Sequence, residues 1–569
     1  MSKLPKVVIF GTLLGKEQFA QKDYTVLSCH EDDKNAQEVI SKYSPDILLS
    51  IGERADRFTV LQSFPLWRKK GWLHFDKEEK IDDNLVLYCY MHNILLPKRE
   101  LVSVFTTTYK SKTKILRPFR SLRAQTYQDW EWIIVDDSDD NGETYRMLEA
   151  LAEKEPRIRL YKPKAHSGYI GAVKKDAASM SRGTIIVELD HDDDVLPETL
   201  QLLVDVYKSD PKIGFVYSDF TEIFDDGANW KYSEFYCFGY GSYTKTLVNG
   251  RWVNHAMSPP INPQTFSHIV GVPNHIRSWR ASAYFEVGGH NSGLWVADDY
   301  ELVLRTFGAG WKFCRIPQCL YLQYRNRVDN NFTFLRNREI QKLTGLISVQ
   351  YANVRESRFK SLGFDGYQYK EAKVWELEDE VLVGQKLTKK AELVWNPNPN
   401  RVAVVLVASG KPELIKGAIR SVMDQTYTDF ELYIIWNKDP EADRIMDADE
   451  FKKPQVHWWN LETKQDDTSV LRNYALINLV TVPWVAYLDA HKKWTSQHLE
   501  VCMKEVHDAS FVQIGSSASG LFHKADLIKY GYWKRATKTG YAPEKELVER
   551  WKAAGEKGVI TDKNTVVSR

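Results

Sequence analysis

Short apolar runs alternate along the chain with stretches whose apolar positions fall at helical spacing, which reads as strand and helix in repeated succession. From Lys6 to about Pro97, the runs Val7-Val8-Ile9-Phe10 and Asp46-Ile47-Leu48-Leu49-Ser50-Ile51-Gly52 flank a helical stretch from Ala36 to Lys42. A small α/β unit is predicted there. Ser50-Ile51-Gly52-Glu53 closes a strand where a ligand could touch, although glycine at such a turn serves conformation first. Trp67-Arg68-Lys69-Lys70-Gly71-Trp72 reads as a basic and aromatic patch on the surface of this unit.

A second segment opens with Leu101-Val102-Ser103-Val104-Phe105 and runs into Thr106, Thr107, Thr108 and Tyr109. A helix from Ile115 to Ala124 follows, then the strand Trp132-Ile133-Ile134-Val135, which ends in Asp136-Asp137-Ser138. Helix Glu143 to Lys154, strand Arg157 to Tyr161 and helix Ala172 to Met180 continue the alternation. This order predicts a parallel, doubly wound sheet whose strand ends, at Thr107, Asp136 and Asp190, converge on one crevice. The next strand, Thr184-Ile185-Ile186-Val187, leads into Glu188-Leu189-Asp190-His191-Asp192-Asp193-Asp194, and Pro197-Glu198-Thr199 starts a helix. Aspartates so close repel one another unless a cation joins them. Carboxylate oxygens suit Mg²⁺ or Mn²⁺, which in turn hold phosphate oxygens, so a metal and diphosphate site is expected. The alternative is a solvated acidic turn that caps the next helix.

Beyond this segment an amphipathic helix is predicted over about Phe334 to Lys360, and Trp395-Asn396-Pro397-Asn398-Pro399-Asn400 reads as a linker. The pattern then restarts. Arg401 to Ser409 is again a strand reaching small hydroxyl residues, and Ser421 to Glu431 repeats Ser121 to Glu131. Trp484 to His491 repeats the acidic strand, and Ala542 to Arg550 repeats Ala297 to Arg305.

Composition narrows the partners. Lys plus Arg number 77 against 76 Asp plus Glu, so no global field recruits a polyanion, and nucleic acid or an anionic membrane is not favoured. The six cysteines are scattered without paired metal-ligand spacing, which suits a reducing compartment. No signal peptide or membrane span is visible, so a soluble, cytoplasmic protein is expected.

Taken together, Thr106-Thr107-Thr108-Tyr109, Ser121 to Tyr127, Val135-Asp136-Asp137-Ser138 and Leu189-Asp190-His191-Asp192-Asp193 resemble, in order and spacing, the nucleotide-binding half of family 2 glycosyltransferases, which have the GT-A fold. Gly288-Gly289 and Ala297-Asp298-Asp299-Tyr300-Glu301-Leu302, with Arg305 and Gly310, resemble that family's acceptor-side motif. The resemblance covers about Leu101 to Asn331. It implies a nucleotide-sugar donor held by Thr107 and Asp137 with Asp136 beside it, flanked by Thr108, Tyr109 and His191, and a carboxylate there suits the imide of uracil or a ribose hydroxyl. It implies Mn²⁺ or Mg²⁺ at Asp190 and Asp192, with Asp193 adjacent, neutralising the departing nucleoside diphosphate. Lys174 stands where a second cation near the phosphates is expected, a solvated helix face being the alternative. Asp299 is the expected general base for inverting transfer, with Asp298 as acceptor ligand or substitute base and an N-cap role as the structural alternative for either. The sequence departs from the family in having Thr107 where Pro is usual. A late metal-binding His is also absent from Tyr324-Arg325-Asn326-Arg327, which leaves His268, His275 and His290 as candidates. The aromatic stretch with Trp230, Tyr232, Phe235, Tyr236, Phe238, Tyr240, Tyr243 and Trp252 is placed to shape the acceptor side.

In the second copy Trp436-Asn437 replaces Asp136-Asp137, and His491-Lys492-Lys493 replaces Asp192-Asp193-Asp194, so only Asp489, with His491, is left to ligate a metal beside disfavouring lysines. Glu544 keeps a carboxylate at the Asp299 position. The expected fold is α/β: a small domain over 1–98, an active GT-A module over 99–332, a helical connector and linker over 333–400, and a degenerate GT-A-like module over 401–569 that scaffolds, dimerises or binds acceptor. The alternatives are a bifunctional transferase with both modules active and a carbohydrate-binding pseudo-transferase. Nucleotidyl transfer is disfavoured because Thr106 to Lys112 lacks a glycine-rich phosphate loop. The acceptor, a glycan or another hydroxyl-bearing molecule, is left open.

Overall fold

Runs of β-branched residues buried on both faces make parallel strands, and the chain begins with such a sheet. In the computed structural model, strands β1 (Lys6–Gly11), β2 (Thr25–His30), β3 (Ile47–Ile51) and β4 (Gly71–Phe75) pair in parallel in the order β2-β1-β3-β4. The structure describes residues 6–11, 25–52, 57–63, 71–75, 100–231, 243–263, 265–268, 273–326, 335–364, 391–461, 468–506, 509–514, 517–534, 543–561, 563 and 565–568. Ser50 is buried, taking the Trp72 indole N–H at 2.9 Å and lying 2.8 Å from the His74 ring, so its hydroxyl serves the sheet. Trp72 is likewise buried core and not surface patch. Glu53 and Trp67 to Lys70 lie outside the described residues.

The next strands are β5 (Val102–Thr108), β6 (Trp130–Asp136), β7 (Ile158–Tyr161), β8 (Ile185–Glu188), β9 (Asp194–Val195), β10 (Ile213–Phe224), β11 (Tyr243–Val248), β12 (Arg251–Ala256), β13 (Arg277–Arg280) and β14 (Lys312–Arg325). They form a sheet in the order β7-β6-β5-β8-β13-β10-β14. β5 to β8 are parallel, and β13 runs antiparallel between β8 and β10. Four strand ends, at Thr108, Asp136, Tyr161 and Glu188, therefore meet at one edge, the edge where an open sheet binds its ligands.

The predicted connector helix is two helices, Asn337–Gln350 and Ala352–Ser361, separated at Tyr351. They brace the helix Asp298–Gly308: the Tyr351 hydroxyl donates to Glu301, and Phe359 meets Phe307 with ring centroids 4.9 Å apart. A Cβ on Gly308 would lie 2.4 Å from Val354 Cγ1, so only glycine admits this approach. β15 (Leu393–Val394) then pairs with β14.

The remaining strands are β16 (Val402–Val407), β17 (Phe430–Asn437), β18 (Val456–Leu461), β19 (Trp484–Asp489), β20 (Lys492–Trp494), β21 (Phe511–Ile514), β22 (Ser517–His523), β23 (Gly558–Thr561) and β24 (Val566–Ser568). Their order, β18-β17-β16-β19-β22-β21-β23, repeats that of β5 to β14, with the same relative directions. The two sheets are stitched together where β11 pairs with β18 through Lys245 and Trp458. Trp252 Nε1 donates to Met446 O at 2.9 Å, Lys245 Nζ lies 2.6 Å from Asp443 Oδ1, and Tyr243 stacks on Trp459 with centroids 5.7 Å apart. Tyr243 and Trp252, expected on the acceptor side, are thus committed to this joint, while Tyr232, Phe235, Tyr236, Phe238 and Tyr240 lie outside the described residues. The α/β class with mainly parallel sheets is the architecture expected from the sequence. Among the described residues no helix is long and apolar enough to cross a membrane.

Candidate active site

β8 delivers the acidic turn to the crevice. The Asp193 N–H bonds to Asp190 O at 3.4 Å, which closes a tight turn and brings residues 190 and 193 to one side. One carboxylate oxygen of Asp190, one of Asp193 and a ring nitrogen of His275 lie within 4.8 Å of one another. His275 lies flat on Tyr321, ring centroids 4.1 Å apart and planes 4° from parallel. The Tyr321 hydroxyl donates to Asp193 Oδ2 at 2.8 Å and the Tyr324 N–H to Asp193 Oδ1 at 2.7 Å, leaving lone pairs on both oxygens. Burial and then the neighbouring charges of Asp192 and Asp190 push Asp193 well above the usual carboxylate range. Burial pushes His275 well below its usual range, which keeps the imidazole neutral, the form that ligates metal. Two carboxylates and a neutral imidazole fit a divalent cation such as Mn²⁺.

The expected pair Asp190 and Asp192 is not the group the turn brings together. Asp192 sits at the apex with His191, half-buried, and its backbone carbonyl takes Arg117 Nη1 at 3.0 Å. Of the candidate histidines, His275 joins the acidic turn, His290 packs under the crevice, and the side chain of His268 lies outside the described residues.

On the facing side, helix Asp298–Gly308 begins after Ala297, whose φ of 58° is left-handed. Asp298 is buried, 3.2 Å from Lys174 Nζ and 3.6 Å from His290 Nε2. Asp299, a quarter exposed, takes Arg277 Nη1 at 2.8 Å. The same guanidinium donates Nη2–H to Glu188 Oε1 at 2.8 Å and passes 4.0 Å from Asp190 Oδ2. Asp299 is therefore the member of the acidic pair open to solvent. Lys174 is neither on a solvated face nor open to phosphate: it is buried, 2.9 Å from Glu188 Oε1. Burial alone would lower its ammonium, but Asp298 and Glu188 more than reverse this, so it stays charged.

At the ends of β5 and β6, Asp136 is wholly buried and accepts from the hydroxyls of Thr108 at 3.0 Å and Ser138 at 2.5 Å and from Lys162 Nζ at 3.0 Å. Asp136 and Thr108 thus hold the strand ends together and do not face a nucleotide. Asp137 takes the Ser167 N–H at 2.9 Å and lies 2.9 Å from His166 Nδ1, which docks the loop before the helix Ile170–Ser179; burial pushes its carboxyl up. Tyr109 is exposed beside His166, ring centroids 4.9 Å apart, and Thr107 is half-buried at the same edge. These offer an aromatic face and a hydroxyl at the crevice.

The second sheet places Asp489 at the position of Asp190, but its partners are cations of the chain. Arg472 Nη2 donates to Asp489 Oδ1 at 2.8 Å, and Lys492 Nζ lies 3.6 Å from Oδ2. Burial pushes Asp489 up, yet Arg472 and then Lys492 bring it below its usual value. The side chain of Glu544 lies outside the described residues.

Arg277, Glu188 and Tyr321 carry the site's hydrogen bonds, Glu188 from the acidic stretch but with no role foreseen for it, Arg277 and Tyr321 from outside any motif. The available signal was a lone charge in an apolar strand, which must find a buried partner. Its partner depends on the β8–β13 register, which sets Arg277 opposite Glu188.

Residues 103–269 match the family model described as glycosyl transferase family 2. An uncharacterised protein of Sinorhizobium fredii is 28% identical over 210 residues, 36% of this chain and 20% of that protein. Chondroitin synthase of Escherichia coli is 25% identical over 310 residues, 53% of this chain and 38% of that enzyme. The chain thus spans 20% and 38% of these relatives' own lengths. Among solved structures, S. aureus TarS 1–349 in complex with UDP-GlcNAc aligns with 51% of this chain and 80% of its own, at 15% identity and a TM-score of 0.32. Over residues 103–269, therefore, the chain is similar to glycosyl transferase family 2.

Proposed function

We propose that the chain is a metal-dependent glycosyltransferase that moves a sugar, with inversion, from a UDP-linked donor to an acceptor hydroxyl, and that the crevice of β5 to β8 is where it does so. The observation that carries this is the convergence on one guanidinium of Asp299, 2.8 Å away, and Asp190, 4.0 Å away, from separate elements of the first sheet. Asp299 takes the proton of the acceptor hydroxyl while that oxygen attacks the anomeric carbon opposite the leaving diphosphate. Asp190, Asp193 and His275 would hold the divalent ion, with Asp192 the further carboxylate on the same turn. When bound, the ion supplies Lewis-acid stabilisation of the diphosphate charge. Tyr109 offers a face to the nucleotide base, and Thr107 and Asp137 offer polar groups to its edge or ribose. The name of the E. coli relative, a chondroitin synthase, supports a glycan as acceptor.

We read residues 401–569 as a degenerate second module. The pairing of Asp489 with Arg472 and Lys492 favours this over a second active site, because an internal ammonium and guanidinium already meet the charge that a metal would neutralise.

The test is release of UDP from a panel of UDP-sugars with Mn²⁺, with Mg²⁺ and with chelator, for the wild type, Asp190→Asn and Asp489→Asn. One donor turned over only with metal, abolished by Asp190→Asn and kept by Asp489→Asn, is the expected result. Loss on Asp489→Asn with survival on Asp190→Asn would move the active site to the second sheet, and no turnover of any donor would remove the transferase reading.

A further inference from the structure

Arg277 on β13 stands directly opposite Glu188 on β8, and its guanidinium is almost wholly enclosed, 7% exposed. It donates in two directions, Nη1–H to Asp299 Oδ2 and Nη2–H to Glu188 Oε1, each at 2.8 Å. Glu188 is in turn anchored by Lys174 Nζ at 2.9 Å, and its Oε2 lies 3.3 Å from His290 Nε2. His290 is fixed through Nδ1, 2.8 Å from the Tyr284 hydroxyl. Lys174 closes the ring to Asp298 at 3.2 Å. Four elements, β8, β13, helix Ile170–Ser179 and helix Asp298–Gly308, are thereby locked around one planar cation.

A guanidinium holds its donors in a rigid fork, so two bonds from one group set the separation and angle of the carboxylates that receive them. Asp299 lies on the first turn of its helix and its other oxygen, among the described residues, takes the Tyr300 N–H at 2.7 Å. Tyr300 belongs to the same helix, so that bond does not tie Asp299 to the donor side. Glu188 is two residues before Asp190, so a fixed distance from Glu188 to Asp299 is also a fixed distance from the acidic turn to the base.

We propose that Arg277 is the positioning residue of the transfer reaction: it holds Asp299 at the distance and angle from the Asp190 turn at which an acceptor oxygen can reach the anomeric carbon, an assignment that rests on Asp299 being the base. Its contribution lies in the geometry of the chemical step and not in donor capture, because neither of its hydrogen bonds goes to a group that holds the nucleotide. A displacement of about 1 Å in such an arrangement costs on the order of 100-fold in rate.

Arg277→Ala would strand Glu188 and Asp299 without their cation and endanger the fold, so the test uses Arg277→Lys, which keeps the charge but offers a point donor unable to span both carboxylates, together with Arg277→Gln/Glu188→Gln, which removes both charges of the buried pair. In the full chain, thermal unfolding, binding of UDP with Mn²⁺ by calorimetry, and kcat for UDP release from the UDP-sugar that the wild type turns over are compared for these variants, Asp299→Asn and Asp299→Asn/Arg277→Lys. The expected result is UDP affinity within about twofold of wild type for both Arg277 variants, kcat lower by about 100-fold, and a double variant no slower than Asp299→Asn alone. Wild-type kcat in Arg277→Lys, a loss of UDP affinity equal to the loss of kcat, or multiplying losses in the double variant would each overturn the assignment. Wild-type kcat in Asp299→Asn would instead overturn the base itself, whatever Arg277 does.

Discussion

Gln125 and Gln425 make the same three hydrogen bonds in the two halves of the chain. Gln125 Nε2 donates to Ser121 O at 3.1 Å and to Leu196 O at 2.8 Å, and its Oε1 accepts from the Leu200 N–H at 3.0 Å. Gln425 Nε2 donates to Ser421 O at 2.8 Å and Thr495 O at 2.7 Å, and its Oε1 accepts from the Leu499 N–H at 2.9 Å. The side chain ties the end of the first helix to the start of the helix that follows the acidic strand. The Gln-Thr-Tyr repeat is thus architectural: it sets where the strand-end turn points, and it persists where that turn keeps only Asp489 of its acids.

Removing either amide leaves buried backbone groups without partners, so Gln125→Ala and Gln425→Ala should each lower unfolding free energy by about 1–3 kcal/mol. Chemical denaturation checks this. Only Gln125→Ala should also slow UDP-sugar turnover, since Leu196 follows the Asp190 turn, while Gln425→Ala should leave it unchanged. Equal slowing by both would show that the second half takes part in the reaction.

What the sequence disclosed was decided by locality. The strand and helix alternation and the acidic turn after β8 are each contained in a short window, and the strands and helices of that segment lie where the alternation puts them. Asp299 was the expected base of the pair Asp298 and Asp299, but the reason it is the member that stays open was not legible, because that depends on Lys174 and His290 arriving from other elements to claim Asp298. Asp136 resembled a nucleotide ligand by position, yet Thr108, Ser138 and Lys162 occupy its oxygens. Asp193, and not Asp192, lies grouped with Asp190 and His275, because a turn closed by one backbone hydrogen bond brings together its ends and not its apex. Arg277 was invisible for the opposite reason: its role is set by register between strands far apart in sequence.

The second half should make stability acid-sensitive through His498. This ring is fully buried, stacked on Trp494 with centroids 4.1 Å apart, and lies 2.8 Å from Thr565 Oγ1. Burial lowers its pKa from 6.5 to about 3. Below 6.5 the unfolded chain therefore binds a proton that the folded chain refuses. The resulting stability is complete above about 6.5 and is lost progressively as pH falls towards about 3, by up to roughly 1.4 kcal/mol per pH unit. Urea unfolding of wild type and His498→Gln at pH 7, 6 and 5 isolates this site. The stability advantage of the wild type should shrink by about 1–2 kcal/mol between pH 7 and pH 5. An advantage that stays constant across that range would mean the ring takes up its proton in the fold as readily as in the unfolded chain.

Tyr321 offers a sharper test of the metal arrangement. Its hydroxyl donates to Asp193 Oδ2 at 2.8 Å and accepts from the Asp190 N–H at 3.3 Å, while its ring supports His275. One side chain thus orients all three proposed ligands. Phenylalanine keeps the ring and deletes both hydrogen bonds, so the carboxylates lose their direction while the packing under His275 remains. Loss of such a support weakens metal affinity by about 10–100-fold. Tyr321→Phe should therefore raise the Mn²⁺ concentration for half-maximal UDP-sugar turnover by at least tenfold and leave kcat at saturating Mn²⁺ close to wild type. Tyr324→Phe, which removes a 3.0 Å bond to Asp194 outside the proposed ligand group, should shift it far less. Unchanged Mn²⁺ dependence in Tyr321→Phe, or an equal shift in both variants, would place the ion away from Asp193 and His275 and return the choice of second ligand to Asp192.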